Sequence, residues 1–274
     1  MSDNSNEETL NHIKHIELMI LEDFIKICED NDIEYYLIYG TQIGAVRHQG
    51  FIPWDDDIDV ILFREDYEKF LRIMEKSPND KYTIFDSRYN EEYFFQFGRI
   101  SLNDTYWAEF WAEQVSFNLG FHLDLFILDK LPQNKIKRKL YIFRCFYLAR
   151  LYTISVLKYY DYSPFINSIL KLAHNLLKIF KFSPNYFRNK LYKLFTKYEN
   201  EDSEYVTDLT LRERVYFKKT DFKPGKTVKF EHLQCTIPNN DYNTMYPIYG
   251  DYMQLPPEEE RVAHILYNMD FGKY

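Results

Sequence analysis

Four carboxylates fall within five positions of the stretch "GTQIGAVRHQGFIPWDDDIDVILF" (residues 40–63): Asp55, Asp56, Asp57 and Asp59. They stand at the mouth of "IDVILF" (58–63), a β-branched apolar run with the composition of a central strand. Residues two apart on a strand share a face at about 7 Å, so Asp57 and Asp59 point at one place. Two like charges at that separation repel by roughly 2 kcal/mol at an effective dielectric of 20. A divalent cation removes this cost, and clustered hard oxygen ligands select Mg2+ or Mn2+. A solvated acidic loop is the plainer alternative.

Upstream, Gly40-Thr41 lies between a strand-like run, "EYYLIYG" (34–40), and a short helix-like segment closed by Gly50. Glycine lets a phosphate approach the backbone, threonine can donate to it, and a helix N-terminus favours negative charge. Alone, Gly-Thr reads as a turn. Joined to a downstream Asp-x-Asp, it makes a phosphate cradle beside a metal-binding pair, the equipment of phosphoryl or nucleotidyl transfer. Such sites take a third carboxylate from another strand, and "FHLDLFILD" offers Asp124 inside an apolar run. An acid there is expensive unless paired or metal-bound, although capping a neighbouring loop would also account for it. Asp129, before Leu131-Pro132, reads as a turn residue.

The elements that must position these residues alternate. Residues 9–30 form an amphipathic helix with Ile13, Ile16, Ile20, Phe24 and Ile27 on one face. "REDYEKFLRIMEKS" is a helix burying Tyr67, Phe70, Leu71 and Met74. "KYTIFDS", "YFFQFGRISL" and "FHLDLFILDKLP" are strands, as are "EYVTDLT", "RVYF" and "TVKFEHLQCTIP" after residue 204. A Tyr- and Pro-rich tail follows. The expected class is α+β, divided as a catalytic core (1–132), a basic helical module (133–200) and C-terminal strands with a tail completing the acceptor side (201–274).

The middle module is set apart by charge. Residues 133–198 hold 14 Lys+Arg against one acid, Asp161, a net of +13. The remainder carries 20 bases and 41 acids, or −21, within a total of −8. Ser163-Pro164 and Ser183-Pro184 read as helix starts, giving helices near 135–160, 164–182 and 184–198. "LYIFRCFYLARLYTISVL" is apolar, but Arg144 and Arg150 exclude a membrane span. A basic face rich in Tyr, Phe and Leu suits either an anionic membrane surface or solvent. Nucleic-acid binding fits poorly, because the rest of the chain is strongly acidic. Cys28, Cys145 and Cys235 are scattered, forming neither a disulfide framework nor a metal knuckle. With the polar start "MSDNSNEETLNH", this points to a cytoplasmic protein, peripheral at the inner face of the membrane if the basic module binds there.

The segment from Gly40-Thr41 through Arg47-His48 to Asp57-Ile58-Asp59 resembles the LicD family, which includes the fukutin-related proteins. "FHLDLFILD" resembles that family's second acidic strand, and "YGDYMQLPP" (249–257) its C-terminal signature. The resemblance implies a nucleotidyltransferase-like mixed sheet. It also implies transfer of a phosphorylated alcohol, typically phosphocholine from CDP-choline, onto a hydroxyl of a cell-surface glycan or its lipid-linked precursor, with release of CMP. Carried over by position, Asp57, Asp59 and Asp124 hold Mg2+ and are catalytic. Transfer of phosphoribitol, phosphoglycerol or phosphoethanolamine from the matching CDP donor is the alternative, followed by a true NTP-dependent nucleotidyltransferase. An inactive glycan- or membrane-binding protein is the non-enzyme alternative. Some fukutin-related members have a cysteine zinc site, and this chain lacks that cysteine cluster.

Weaker candidates surround this set. Arg47 suits a bidentate phosphate contact or a salt bridge to the Asp cluster. His48 suits proton transfer or a helix C-terminal charge. Arg99 can reach the cleft from a neighbouring strand or sit on the surface. Trp54, Trp107 and Trp111 can cage a quaternary ammonium or pack the core. "YGDYMQLPPEEERVAH" either closes over the acceptor or docks as a tail.

Overall fold

The computed structural model of the chain describes residues 2–76, 80–261 and 268–274. Helix α1 (Ser2–Asp30) sets Ile13, Ile16, Ile20 and Phe24 on one stripe, and all four are buried in the main core. It begins earlier than the apolar pattern predicts. There follow β1 (Tyr36–Leu37), α2 (Tyr39–His48), β2 (Asp59–Phe63), α3 (Arg64–Lys76), β3 (Tyr82–Phe85), β4 (Gly98–Leu102), β5 (Tyr106–Ala108) and β6 (His122–Lys130). The last predicted residue of α3, Ser77, lies outside the described residues.

The sheet runs β1-β2-β6-β4-β3, and β7 (Tyr205–Thr207) with β8 (Phe217–Lys218) continues it from β6. Strands β2 and β6 are parallel, whereas β1–β2, β6–β4 and β4–β3 are antiparallel. The mixed sheet and its helices give the expected α+β class. A parallel pair needs a long crossover, and α3 with the β3–β5 segment supplies it. Both central strands are apolar runs because both faces of the sheet are covered.

The basic segment forms α4 (Lys135–Val156), α5 (Pro164–Ile179) and α6 (Pro184–Phe195). Asn134 and Ser183 cap α4 and α6 by accepting from backbone N–H groups, whereas Ser163 makes no such side-chain bond. Tyr141, Cys145, Tyr152, Phe187 and Leu191 form this segment's own core with Leu131. Among the described residues no helix is long and apolar enough to cross a membrane.

Four local readings change. "EYYLIYG" supplies only two strand residues, because Tyr39 takes a left-handed φ of 52° and turns the chain into α2. "YFFQFGRISL" pairs only from Gly98, since Tyr93, Phe94 and Phe95 pack with Trp111 and Phe117. After the short helix α7 (Lys219–Phe222) and the hairpin of β9 (Lys226–Phe230) and β10 (Leu233–Ile237), the supposed tail contains α8 (Asp241–Tyr249). Asn240 caps α8 despite Pro247 inside it, and β11 (Asn268–Asp270) pairs with β5. Asp129 is no turn residue: Arg64 grips both its oxygens at 2.7 and 2.8 Å in the interior.

A buried polar knot ties α3 to the segment after β3. Tyr67 Oη donates to Asp86 at 2.6 Å, and the Arg88 backbone N–H and Nε donate to the same carboxylate at 2.7 and 3.0 Å. Burial works to raise the Asp86 pKa, but these bonds and the Arg88 charge outweigh it and hold the carboxyl below its usual range. A depressed folded-state pKa contributes stability that is present above the unfolded value, about 3.9, and is lost as pH falls through the folded value. Asp86→Asn is therefore expected to cost roughly 1.5–3 kcal/mol at neutral pH. The gap from wild type should close as pH drops below about 4, as read by urea denaturation midpoints at pH 7 and pH 3.

Candidate active site

Strand register assembles the centre of the site. Asp59 on β2 is paired with Asp124 on β6, and Asp124 is in turn paired with Arg99 on β4. Neighbouring strands lie about 4.8 Å apart, so acid, acid and arginine form one row across the sheet. Arg99 Nε donates to Asp124 Oδ1 at 2.7 Å and its Nη2 to Oδ2 at 3.3 Å. The guanidinium is buried over the rings of Phe95 and Phe97, and its Nη1 has no hydrogen-bond partner. His122 Nε2 lies 3.6 Å from Asp124 Oδ1, while its Nδ1 bonds to the Gly120 carbonyl.

The loop carrying the other acids is fixed from three sides. Thr41 Oγ1 accepts from the Asp59 backbone N–H at 2.8 Å. Lys14 Nζ on α1 donates to the Ile52 and Pro53 carbonyls at 3.2 and 2.8 Å. A Cβ on Gly44 would lie 2.4 Å from the Gly50 carbonyl oxygen, so only glycine permits this approach of loop to helix. A Cβ on Gly40 would meet Asp55 Oδ2 at 2.8 Å. The α2 end is closed by Gln49 in the left-handed region, one residue before the predicted Gly50.

Two cavities meet at this row. The first, of about 700 Å³, is lined by Gly40, Arg47, Trp54, Asp55, Asp57 and Asp59 together with Tyr249 and the 251–257 segment. The second, of about 580 Å³, has an aromatic wall of Tyr39, Phe94, Phe95, Phe97 and Phe126, and α4 contributes Phe146 and Arg150. Asp59 and Tyr249 line both. Burial, followed by the charges of Asp57, Asp124 and Asp55, pushes the Asp59 carboxyl well above its usual range. Burial and the charges of Asp59, Asp55 and Asp57 likewise raise the Tyr249 phenol.

Not every predicted residue faces these cavities. Asp57, Asp59, Gly40 and Arg47 do. Thr41 is a buried clamp on β2, and Arg99 and Asp124, the other two members of the row, are paired with each other and line neither cavity. Arg47 lines the first cavity and also braces its wall. Its Nη1 donates to the Tyr252 carbonyl at 2.7 Å, so it secures the C-terminal wall, and its Nε donates to His48 Nε2. His48 lines neither cavity, and burial with Arg47 and Lys14 lowers its pKa. Trp54 lines the first cavity, whereas Trp107 and Trp111 are core residues. Of the C-terminal stretch, residues 249–257 wall the first cavity and 262–264 lie outside the described residues.

Three participants escaped the sequence reading. Glu17 sits on the apolar stripe of α1, between Ile16 and Ile20, and accepts from the His122 N–H at 3.3 Å. Burial, then Asp57, Asp124 and Asp56, drives its pKa well up. An acid in an apolar stripe was the available signal. Tyr39 holds a left-handed φ, costly for a bulky residue, and donates from its hydroxyl to buried Asp208 at 2.8 Å. Tyr249, in α8, was legible only as the start of the 249–257 stretch.

A divalent ion has suitable donors in Asp57 and Asp59, which line one cavity as hard oxygen ligands beside further acid. Among the described residues no three His, Cys, Asp or Glu side chains are gathered to hold a metal, and Arg99 engages Asp124. Mg2+ commonly takes one or two carboxylates plus substrate phosphates and water, so a pair suffices.

A mixed sheet with an acidic pair at the mouth of one strand and a third acid beside it is consistent with a nucleotidyltransferase-like fold. Residues 32–140 match the family described as LicD/FKTN/FKRP, nucleotidyltransferase domain. The chain is 29% identical over 261 residues to the lipopolysaccharide cholinephosphotransferase LicD of Haemophilus influenzae, covering 93% of this chain and 96% of that protein. Uncharacterised proteins of Rickettsia prowazekii and Rickettsia typhi are each 36% identical, over 72 and 74 residues. Those shorter matches span 27% and 23% of the Rickettsia proteins and 26% and 27% of this chain.

Proposed function

We propose that this protein transfers a phosphorylated alcohol from a CDP-activated donor to a hydroxyl of a cell-surface glycan or its lipid-linked precursor, releasing CMP. Phosphocholine from CDP-choline is the first choice, supported by the name of the Haemophilus relative. The observation that carries the reading is the meeting of two cavities at Asp59. A transfer needs two substrates whose reacting atoms touch at one point, and a shared carboxylate marks that point.

The acidic first cavity takes the donor. Asp57 and Asp59 are the residues that would hold Mg2+, which when bound supplies positive charge against the diphosphate. Gly40 opens α2, and because a Cβ there would meet Asp55 Oδ2 at 2.8 Å, glycine lets the Asp55 carboxylate close on the backbone beside this cavity. The spare Nη1 donor of Arg99 adds buried positive charge near the row, and Asp124, with both oxygens already accepting from Arg99, balances that charge. Trp54 and Tyr252 line this cavity, and the Arg261 guanidinium stands 5.4 Å from the Trp54 ring centroid, the kind of cation–π contact a quaternary ammonium would make.

The aromatic second cavity takes the acceptor. Phe146→Ala removes a ring from its α4 wall without touching the first cavity. The acceptor KM is expected to rise roughly tenfold, equivalent to about 1.4 kcal/mol, with donor KM unchanged. An equal rise in donor KM would reverse the assignment of the two cavities.

The activity itself is tested by incubating the protein and Mg2+ with CDP-choline, CDP-ribitol, CDP-glycerol or CDP-ethanolamine and a glycan or lipid-linked glycan acceptor. CMP release that depends on acceptor supports the reading and names the alcohol. Pyrophosphate release from an NTP would instead establish a true nucleotidyltransferase. No turnover with any donor would leave a binding protein.

A further inference from the structure

From the outward faces of α4 and α5 we infer that this protein docks on an anionic lipid bilayer. On α5, Phe165, Ile169, Leu172, Leu176 and Ile179 recur at alternating spacings of four and three, which places them on one helical stripe. All five are exposed, Phe165 at 76% and Ile179 at 71%. The helix is held from its other side, where His174 is buried and bonds to the Ile154 carbonyl at 2.8 Å. Its neighbour α4 repeats the pattern with Ile136, Leu140, Phe143, Tyr147 and Leu151, all exposed. Exposed side chains of this size in register are not the surface of a free monomer.

Charge decides what covers them. The exposed cations Lys137, Lys139 and Arg144 flank the α4 stripe, and Lys171, Lys178 and Lys181 flank that of α5. The whole 133–198 stretch carries +13. A second copy meeting this face would bring +13 against +13. An acidic protein surface would satisfy the charge, but not two exposed apolar stripes, that of α5 running on into exposed Phe180 and Phe182. A basic helix of 16 residues, too short to span and interrupted by lysines, is built to lie in the interfacial plane of an anionic bilayer. Helix α4 also walls the aromatic cavity through Phe146 and Arg150, which would bring that cavity next to the lipid. The inference uses surface residues alone and stands apart from the proposed reaction.

The test is sedimentation of the full chain with phosphatidylglycerol-containing vesicles and with pure phosphatidylcholine vesicles, at low and high salt. Wild type is expected to bind the anionic vesicles strongly, the neutral ones weakly, and to lose affinity as salt rises. The Phe165→Asp/Ile169→Asp variant, with both changes on exposed positions, should keep the wild-type melting temperature and partition at least about tenfold more weakly. Absence of binding to anionic vesicles, equal binding to neutral ones, or full retention in the variant would each overturn the inference. So would a concentration-dependent dimer that the variant abolishes while vesicles remain unbound, since the face would then be a self-interface.

Discussion

Asp59→Asn is expected to lower the turnover number by about 10³-fold or more while leaving the melting temperature equal to wild type or higher. The two halves of this result come from one cause. Asp59 is pushed to an unfavourable ionisation by burial and by Asp57, Asp124 and Asp55, so its negative charge is a cost to the folded chain. Asparagine keeps the shape and removes the charge. The backbone bond from residue 59 to Thr41, which fixes the start of β2, is untouched by the change. A residue retained at a cost to stability and needed for turnover is one used for chemistry. The measurement pairs a thermal melt without Mg2+ with the CMP-release assay. A large drop in melting temperature would make Asp59 a structural residue instead.

Arg99→Met should behave in the opposite way and unfold the protein more easily. The guanidinium provides two hydrogen bonds to Asp124, whose side chain is 13% exposed. Removing one partner of a buried pair typically costs about 3–5 kcal/mol, because the other charge is left poorly compensated. For a chain of this size that corresponds to a fall in melting temperature on the order of 10 °C. The second variant separates structure from chemistry. Arg99→Met/Asp124→Leu replaces both charges with apolar groups, so it should recover most of the lost stability yet remain inactive. Recovery of activity together with stability would show that the pair serves only the fold, and the row Asp59–Asp124–Arg99 would lose its assigned part in the reaction.

The amino-acid pattern carried the chemistry further than the geometry. Asp59 and Asp124 were legible because each interrupts an apolar run where a free carboxylate is expensive. Their side-by-side register was not, since strand pairing is chosen by contacts far apart in sequence. For the same reason Arg99 was recognisable as a nearby cation, but its partner was hidden until β4 was laid against β6. Arg47 was read as a phosphate or acid ligand; it does line the first cavity, but its bond to the Tyr252 carbonyl, a group 205 residues away, had no local signal. The helices α4, α5 and α6 were close to expectation, with Pro164 and Pro184 announcing the starts of α5 and α6 locally. Pro247 concealed α8 by breaking the usual helical signature, so Tyr249 was legible only as the start of the 249–257 stretch. The left-handed turn at Tyr39 had no local signal, as the sequence offers neither glycine nor asparagine there.

The most direct measurement is calorimetric titration of CDP-choline into the protein with Mg2+ and again with EDTA, using wild type and Asp57→Asn. If the acidic loop grips a metal-bridged diphosphate, wild type binds the nucleotide only when Mg2+ is present, and Asp57→Asn fails to bind it under either condition. Equal affinity in EDTA, or undiminished binding by Asp57→Asn with Mg2+, would contradict the assignment of Asp57 and Asp59 to the ion and the donor.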